Sequence, residues 1–144
     1  MDGSSLRARV EDGLDALTNP HKSRVDGRVR GAFADSLDLD AALRAQYPSD
    51  NRWDYLLGYG PSRSVIGLEP HSAKHDQVST VIAKRRAALE HLRDHLKPGA
   101  RIARWLWVAS GRVDFADTEK TRLTLDQNGI TFIGRRVLAK HLKV

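Results

Sequence analysis

Two short apolar runs on either side of a turn constrain the fold more than any other feature of the chain. Residues 53–59 and 64–68 are rich in aromatic and branched side chains, and the segment GPSR separates them. Such runs favour strands, and a turn of this length joins them as an antiparallel hairpin. If the hairpin is centred on Pro61 and Ser62, residues whose numbers add to 123 face each other. The sequence therefore predicts a hairpin with a defined register.

That register places two carboxylates side by side, with Asp54 opposite Glu69. Like charges directly opposite each other destabilise a sheet, unless a cation neutralises them or one acid is exposed or protonated. His71 would project from the same face of its strand as Glu69. One interpretation is a divalent metal site formed by Asp54, Glu69 and His71. The other, equally compatible with the sequence, is that both acids lie at exposed strand ends in solvent.

The composition limits the chemistry that the chain can perform. Its 144 residues suffice for one domain, to which residues 1–22 could add an N-terminal helical extension. The absence of cysteine excludes disulfides, thiolate catalysis and Cys-ligated zinc. No apolar run approaches about 18 residues and the N-terminus lacks the apolar centre of a secretory signal, so we expect a cytoplasmic protein without a membrane partner. The oligomeric state stays open.

The rest of the chain predicts an α/β fold (α+β as the alternative), with a mixed sheet flanked by helices. Apolar residues at helical spacing predict helices over residues 4–17, 23–33, 36–47, 76–97 and 117–128. Buried or short strands are predicted over residues 101–109 and 130–133, with a turn at Ser110 and Gly111 and a helix stop at Gly129. A strand, a helix and a strand in succession indicate that the two strands are parallel.

The chain resembles the PD-(D/E)XK nuclease-like superfamily. The similarity spans about residues 23–109, and its specific part is Asp54 followed by Leu68-Glu69-Pro70-His71. The resemblance implies a restriction-endonuclease-like core in which Asp54 and Glu69 hold a magnesium or manganese ion. In that family a lysine two residues after the glutamate positions or activates the attacking water. His71 stands at that place here.

Three residues could compensate for the absent lysine. His71 could act as a general base, or Lys74 could lie near the attacking water. Lys84, on the long helix, could supply the positive charge from another position, although both lysines are more simply interpreted as exposed. Glu11 is a further candidate, since an acid from the leading helical region completes some sites of the superfamily.

The net charge of +6 favours an anionic partner, nucleic acid before others. Arginine pairs suit forked contacts to phosphate, and they occur at Arg28 and Arg30, Arg85 and Arg86, and Arg135 and Arg136. Together with Lys84, the pair Arg85 and Arg86 is the predicted nucleic-acid contact. Trp105 and Trp107 could stack on bases, but core packing is the simpler interpretation.

Three functions follow from these residues. The first is phosphodiester hydrolysis by a metal-dependent nuclease-like protein. The second is an inactive relative that binds nucleic acid or protein. The third is a zinc or nickel protein that uses His71 and His75, whereas His91 and His95 are better explained as structural residues near a helix end. No serine-hydrolase elbow, Walker loop, zinc-protease motif or dinucleotide fingerprint is present.

Overall fold

Within the described residues, six strands form one mixed sheet, and their order in the sheet follows their order along the chain. In the computed structural model, which describes residues 6–96, 102–114 and 118–143, β1 to β4 are antiparallel neighbours, whereas β4, β5 and β6 run parallel. The strands are β1 (Glu11–Asp12), β2 (Phe33–Asp38), β3 (Tyr55–Tyr59), β4 (Ser64–Lys74), β5 (Ile102–Asp114) and β6 (Thr131–Phe132). The predicted α/β class with a mixed sheet is confirmed.

Four α-helices accompany the sheet within the described residues. They are α1 (Asn19–Lys22), α2 (Leu39–Leu43), α3 (Val78–His91) and α4 (Thr118–Gln127). Helix α3 connects β4 to β5 and α4 connects β5 to β6, so the predicted pairing of parallel strands around a helix is confirmed. Gly129 follows α4 at a φ of +75°, in the left-handed region that glycine adopts at helix ends. No helix among the described residues is long and apolar enough to cross a membrane.

The predicted register of the β3–β4 hairpin is confirmed. Tyr55 pairs with Leu68, and Leu57 pairs with Ile66, so the numbers of facing residues add to 123. The turn is a short 3₁₀ segment, Gly60–Ser62, closed by Arg63 in the left-handed region at a φ of 54°. The residue before β3, Asp54, therefore falls beside β4 at the level of Glu69.

The sheet buries both of its faces. One, which we call the helix face, carries Trp105 and Trp107 and packs against Val81 and Ala88 of α3. The other, the loop face, carries the alternate side chains of the strands, among them Tyr55, Leu57, Leu106 and Val108. It packs against residues of the N-terminal segment and of the last residues of the chain: Leu14, Leu17, Val137 and Leu142. Both tryptophans are buried in the core, as the simpler interpretation predicts.

The predicted helix over residues 4–17 is wrong where the structure describes it. A 3₁₀ turn (Arg7–Arg9), β1 and a series of turns replace it. The apolar residues at helical spacing serve different cores, since Leu6 packs on the helix face and Leu14 on the loop face. Gly13 lies between them at a φ of +52°, which a continuous helix does not permit.

Two further predictions fail because long-range pairing overrides the local pattern. Residues 23–33 form no α-helix, only a 3₁₀ turn (Arg30–Ala32), since Val25 pairs with Val137 and Phe33 begins β2. By contrast, the capped helix predicted to start between Ser36 and Asp38 does so: Asp38 caps α2, and its carboxylate accepts a hydrogen bond from the Ala41 amide at 2.9 Å. The turn at residues 110–111 is absent, because β5 continues through a register shift to its end at residue 114. The long helix ends at His91, short of its predicted end at residue 97, which itself lies outside the described residues.

Gly67 on β4 offers a test of the helix-face packing. A Cβ atom at this position would lie 2.6 Å from Cε3 of Trp105 and 3.1 Å from Nε1 of Trp53. We expect Gly67→Ala to lower the free energy of unfolding by about 1–3 kcal/mol, as overpacking does. The matched control is Gly27→Ala, where nothing lies within 4 Å of the added atom. Denaturant unfolding that gives both variants the same stability would contradict this packing.

Candidate active site

Two carboxylates and a lysine meet where β3 begins, beneath helix α3. The backbone N–H of Asp54 donates to Oε1 of Glu69 at 3.0 Å. From α3, Lys84 Nζ donates to Oδ1 of Asp54 at 3.4 Å and also to Oε2 of Glu69. The structure thus brings Asp54 and Glu69 together as the register predicts, and it adds Lys84 from another element.

The burial of these groups makes their pairing necessary. The Glu69 side chain is 0% exposed, and those of Lys84 and Asp54 are 14% and 22% exposed. A buried carboxylate is costly unless a counter-charge and hydrogen bonds satisfy it, and Lys84 supplies both to Glu69. The interpretation that both acids lie in solvent is therefore wrong for Glu69, and the interpretation of Lys84 as an exposed surface lysine is also wrong.

The spacing along α3 explains why Lys84 points inward. Val81 and Ala88 are buried on the helix face, and Lys84 lies three residues after the first and four before the second. Residues at these spacings share one side of a helix. This is the signal by which sequence reasoning could have found Lys84, since a lysine within a buried stripe needs an acid opposite it.

The electrostatics of the pair follow from burial and proximity. Burial, reinforced by the charge of Glu69, raises the pKa of Asp54 from 3.8 to about 7, although Lys84 opposes the shift. Burial by itself would lower the pKa of Lys84, but the charges of Glu69 and Asp54 outweigh it and raise the pKa above its ordinary value. Lys84 is therefore charged at neutral pH, whereas Asp54 is poised to exchange a proton.

His71 contributes a second basic group to Glu69. Its Nδ1 lies 3.4 Å from Oε2 of Glu69, and its Nε2 lies 2.8 Å from Oε1 of Gln77. The hydrogen bond to Glu69 raises the pKa of His71; burial opposes this, and the bond to Gln77 adds to it. The backbone carbonyl of His71 accepts from Nε1 of Trp107 at 3.1 Å, which holds this part of β4 against β5. A doubly protonated imidazole satisfies both side-chain acceptors.

The suitability of the site for a metal rests on its two carboxylates. No group of three or more His, Asp or Glu side chains is arranged to hold an ion within residues 6–96, 102–114 and 118–143. Magnesium, however, keeps several water ligands and is commonly bound through one or two carboxylates together with substrate phosphates. Asp54 is 22% exposed and can reach water, whereas the buried Glu69 carboxylate already accepts from Lys84, so an ion held by both acids would have to displace that ammonium from Glu69.

The other predicted site residues lie elsewhere. Lys74 is exposed at the end of β4, and Glu11 is exposed in the edge strand β1. Arg85 stacks over the Trp105 ring at 5.5 Å, and Arg86 donates to Oδ1 of Asn128 at 3.1 Å, so the observed contacts of both arginines are with residues on the α4 side of α3.

The two histidine pairs also differ in their surroundings. His71 is shared between Glu69 and Gln77, and the side chain of His75 lies outside the described part of the structure. His91 is buried, with Nε2 2.9 Å from Oδ2 of Asp50 and its ring stacked on Tyr47 at 4.0 Å. These contacts agree with the structural interpretation of His91.

Comparison with known proteins gives no independent assignment. No family model, no curated protein and no solved structure matches the chain. The geometry of the site and the order of the strands are therefore the basis for assigning a function.

Replacing Lys84 tests its pairing with the buried acid. We expect Lys84→Met to lower the free energy of unfolding at pH 8 by about 3–5 kcal/mol, because it leaves the charge of Glu69 without its main partner. The control Lys74→Met removes an exposed lysine and should change stability by no more than about 0.5 kcal/mol. In a Glu69→Gln background the cost of Lys84→Met should shrink, and a cost that stays the same would contradict the pairing.

The raised pKa of Asp54 predicts a pH-dependent contribution to stability. Between its ordinary pKa of 3.8 and the folded-state value of about 7, the folded protein binds more protons than the unfolded chain. The stabilisation due to this proton is therefore present at low pH and lost as pH rises through 7. Relative to Asp54→Asn, the wild-type chain should lose stability between pH 4 and 7 and change little above that range. The measurement is denaturant unfolding of both proteins from pH 4 to 8. If the stability of the wild-type chain relative to Asp54→Asn rose with pH, the raised pKa of Asp54 would be refuted.

Proposed function

We propose that the chain is a metal-dependent phosphodiester hydrolase that acts on nucleic acid. The observation that carries this proposal is the position of Lys84, whose ammonium reaches both Asp54 and Glu69 from α3. A site of two carboxylates and one lysine is thereby assembled although His71 occupies the place of the strand lysine. The order of the antiparallel hairpin, α3 and the parallel strand β5 is similar to that of the PD-(D/E)XK nuclease-like superfamily and supports the same proposal.

The residues divide the work of hydrolysis between them. Asp54 and Glu69 would hold a magnesium or manganese ion beside the scissile phosphate. Such an ion supplies Lewis-acid polarisation of the phosphate and lowers the pKa of a water molecule. Lys84 is the ammonium nearest to both carboxylates, so it stabilises negative charge that develops on a phosphate held there. Water would attack phosphorus and release a proton to solvent, the bond to the leaving ribose oxygen would break, and that oxygen would take up a proton.

His71 is a second group placed for proton transfer or charge stabilisation. Its hydrogen-bond partners, Glu69 and Gln77, orient the ring, and its raised pKa favours the protonated form. In that form it adds positive charge near Glu69, which offsets in part the loss of a lysine from the strand. His71 is therefore better suited to donate a proton to a leaving oxygen than to accept one from water.

A second candidate function is a binding module without catalysis. It is favoured by one observation, namely that Lys84 already neutralises Glu69 and contacts Asp54, so the fold is electrostatically satisfied without a cation. The partner of such a module is nucleic acid or a protein, and with nucleic acid as the partner the two functions differ only in whether cleavage occurs.

Cleavage assays on labelled single-stranded DNA, duplex DNA and RNA with manganese or magnesium test the proposal. We expect activity that EDTA abolishes and that falls about a hundredfold or more in Asp54→Asn, Glu69→Gln and Lys84→Met. The first two changes weaken the hold on the ion, and the third removes positive charge beside the reacting phosphate. The control Lys140→Met changes an exposed lysine of the C-terminal 3₁₀ segment and should retain full activity.

Circular dichroism must show that each variant is folded before activities are compared. Activity that survives Asp54→Asn would place the reaction at another site. Loss of activity in Lys74→Met with retention in Lys84→Met would reject the assignment of the lysine. Binding without cleavage under every metal would favour the second candidate.

A further inference from the structure

Exposed arginines lie at one edge of the sheet, the one formed by the C-terminal ends of the parallel strands β4, β5 and β6. Across the sheet, Glu69 pairs with Trp107 and Trp107 pairs with Phe132, which defines the level of the candidate active site. One level further along, His71 pairs with Ala109, whose N–H donates to the carbonyl of Gly134 at 2.6 Å. The two residues after Gly134 are arginines, so they emerge at the edge that also carries His71.

A third arginine joins them through a backbone bridge. Val25 and Val137 form a parallel bridge, in which Val137 N–H donates to the carbonyl of Arg24 at 2.7 Å. Both valines are buried, and Arg24 and Arg136 each directly precede one member of the bridge, so their backbones are neighbours. The guanidinium of Arg24 also donates to the carbonyl of Ser110, the residue after Ala109 on β5, at 3.1 Å.

The arginines at this edge form no ion pair with a described residue. Few described arginines do: Arg44 and Arg52 contact Asp40, and Arg93 contacts Glu90. No carboxylate of the described residues lies within 4.0 Å of a guanidinium nitrogen of Arg24, Arg135 or Arg136, and the last two are exposed. Neighbouring like charges repel each other, and an anion that bridges them relieves the repulsion.

We propose that Arg24, Arg135 and Arg136, which we call the β6-edge arginines, bind the phosphate backbone of nucleic acid and lead it to Asp54 and Glu69. This inference rests on the proposed function. Guanidinium groups form forked hydrogen bonds to phosphate oxygens, and a surface that reads only phosphates binds without regard to sequence. Two strand spacings, about 10 Å, separate β6 from β4 within the sheet. The valines beside Arg24 and Arg136 belong to the loop face and the acids lie under α3, so a nucleic-acid strand that contacts both places crosses the end of the sheet.

The same geometry gives the β6-edge arginines the role that the sequence predicts for Arg85 and Arg86. The guanidinium of Arg85 lies over the Trp105 ring, and that of Arg86 donates a hydrogen bond to Asn128. Arg135 and Arg136 have exposed side chains and form no ion pair with a described residue, so they retain their full capacity for an anionic ligand.

Binding measured without metal separates this inference from the proposed chemistry. Fluorescence anisotropy of a labelled DNA duplex and of a labelled single strand, in EDTA over a range of salt concentrations, reports affinity in the absence of cleavage. The variant is Arg135→Gln/Arg136→Gln. Its charge-matched control is Arg7→Gln/Arg9→Gln, in an exposed 3₁₀ turn that approaches Gly60 and Arg63 at the opposite end of the hairpin.

We expect the double variant at residues 135 and 136 to weaken binding about tenfold or more, and to reduce the slope of log affinity against log salt for the duplex by about 2, since each lost phosphate contact removes close to one unit. The control should leave both quantities near their wild-type values. Arg24→Gln should add to the loss. Thermal unfolding checks that the variants remain folded.

Equal losses in the two double variants would overturn the inference, because the effect would then follow net charge and not position. Unchanged binding in Arg135→Gln/Arg136→Gln would overturn it as well. A chain that binds through the β6-edge arginines but cleaves nothing with any metal would uphold this inference and refute the hydrolase.

Discussion

The pairing of Lys84 with the buried carboxylate of Glu69 is the interaction on which the candidate site depends. A carboxylate with no exposed surface costs several kcal/mol unless a counter-charge and hydrogen bonds accompany it. Lys84 provides the charge from α3, and the backbone of Asp54 provides a hydrogen bond from the start of β3. One buried acid thus ties two strands and a helix to a common point, and it sets how far α3 can shift along the helix face without breaking the site.

The parts of the fold that could be predicted are those whose local pattern and long-range partners agree. The β3–β4 hairpin has a period of two and a short turn, so its register follows from the sequence, and Asp54 beside Glu69 follows from the register. The N-terminal segment is different. Leu6 and Leu14 stand at spacings compatible with a helix, but they cover opposite faces of the sheet. No local pattern shows to which face an apolar side chain will be assigned.

The candidate site could be predicted only in part for a related reason. Asp54 and Glu69 lie on adjacent strands, where pairing rules place them. Lys84 reaches them only because α3 packs with Val81 and Ala88 toward the sheet. The rotation of α3 about its own axis depends on the tertiary packing of the helix face. Arg85, the next residue, turns toward Trp105 instead. A change of one position along a helix rotates a side chain by about 100°, enough to exchange an inward role for an outward one.

The state of Lys84 also governs how a cation and a phosphate would influence each other. Its ammonium contacts the two carboxylates that would receive a divalent ion, so a cation alone competes with a charge already in place. A phosphate beside the site offers Lys84 another anionic partner and frees the carboxylates. Each ligand would therefore favour binding of the other, and by linkage the coupling is equal in both directions. Under the proposed function, such a site would stay neutralised at rest and would receive a metal chiefly once the β6-edge arginines had brought a phosphate chain across the sheet.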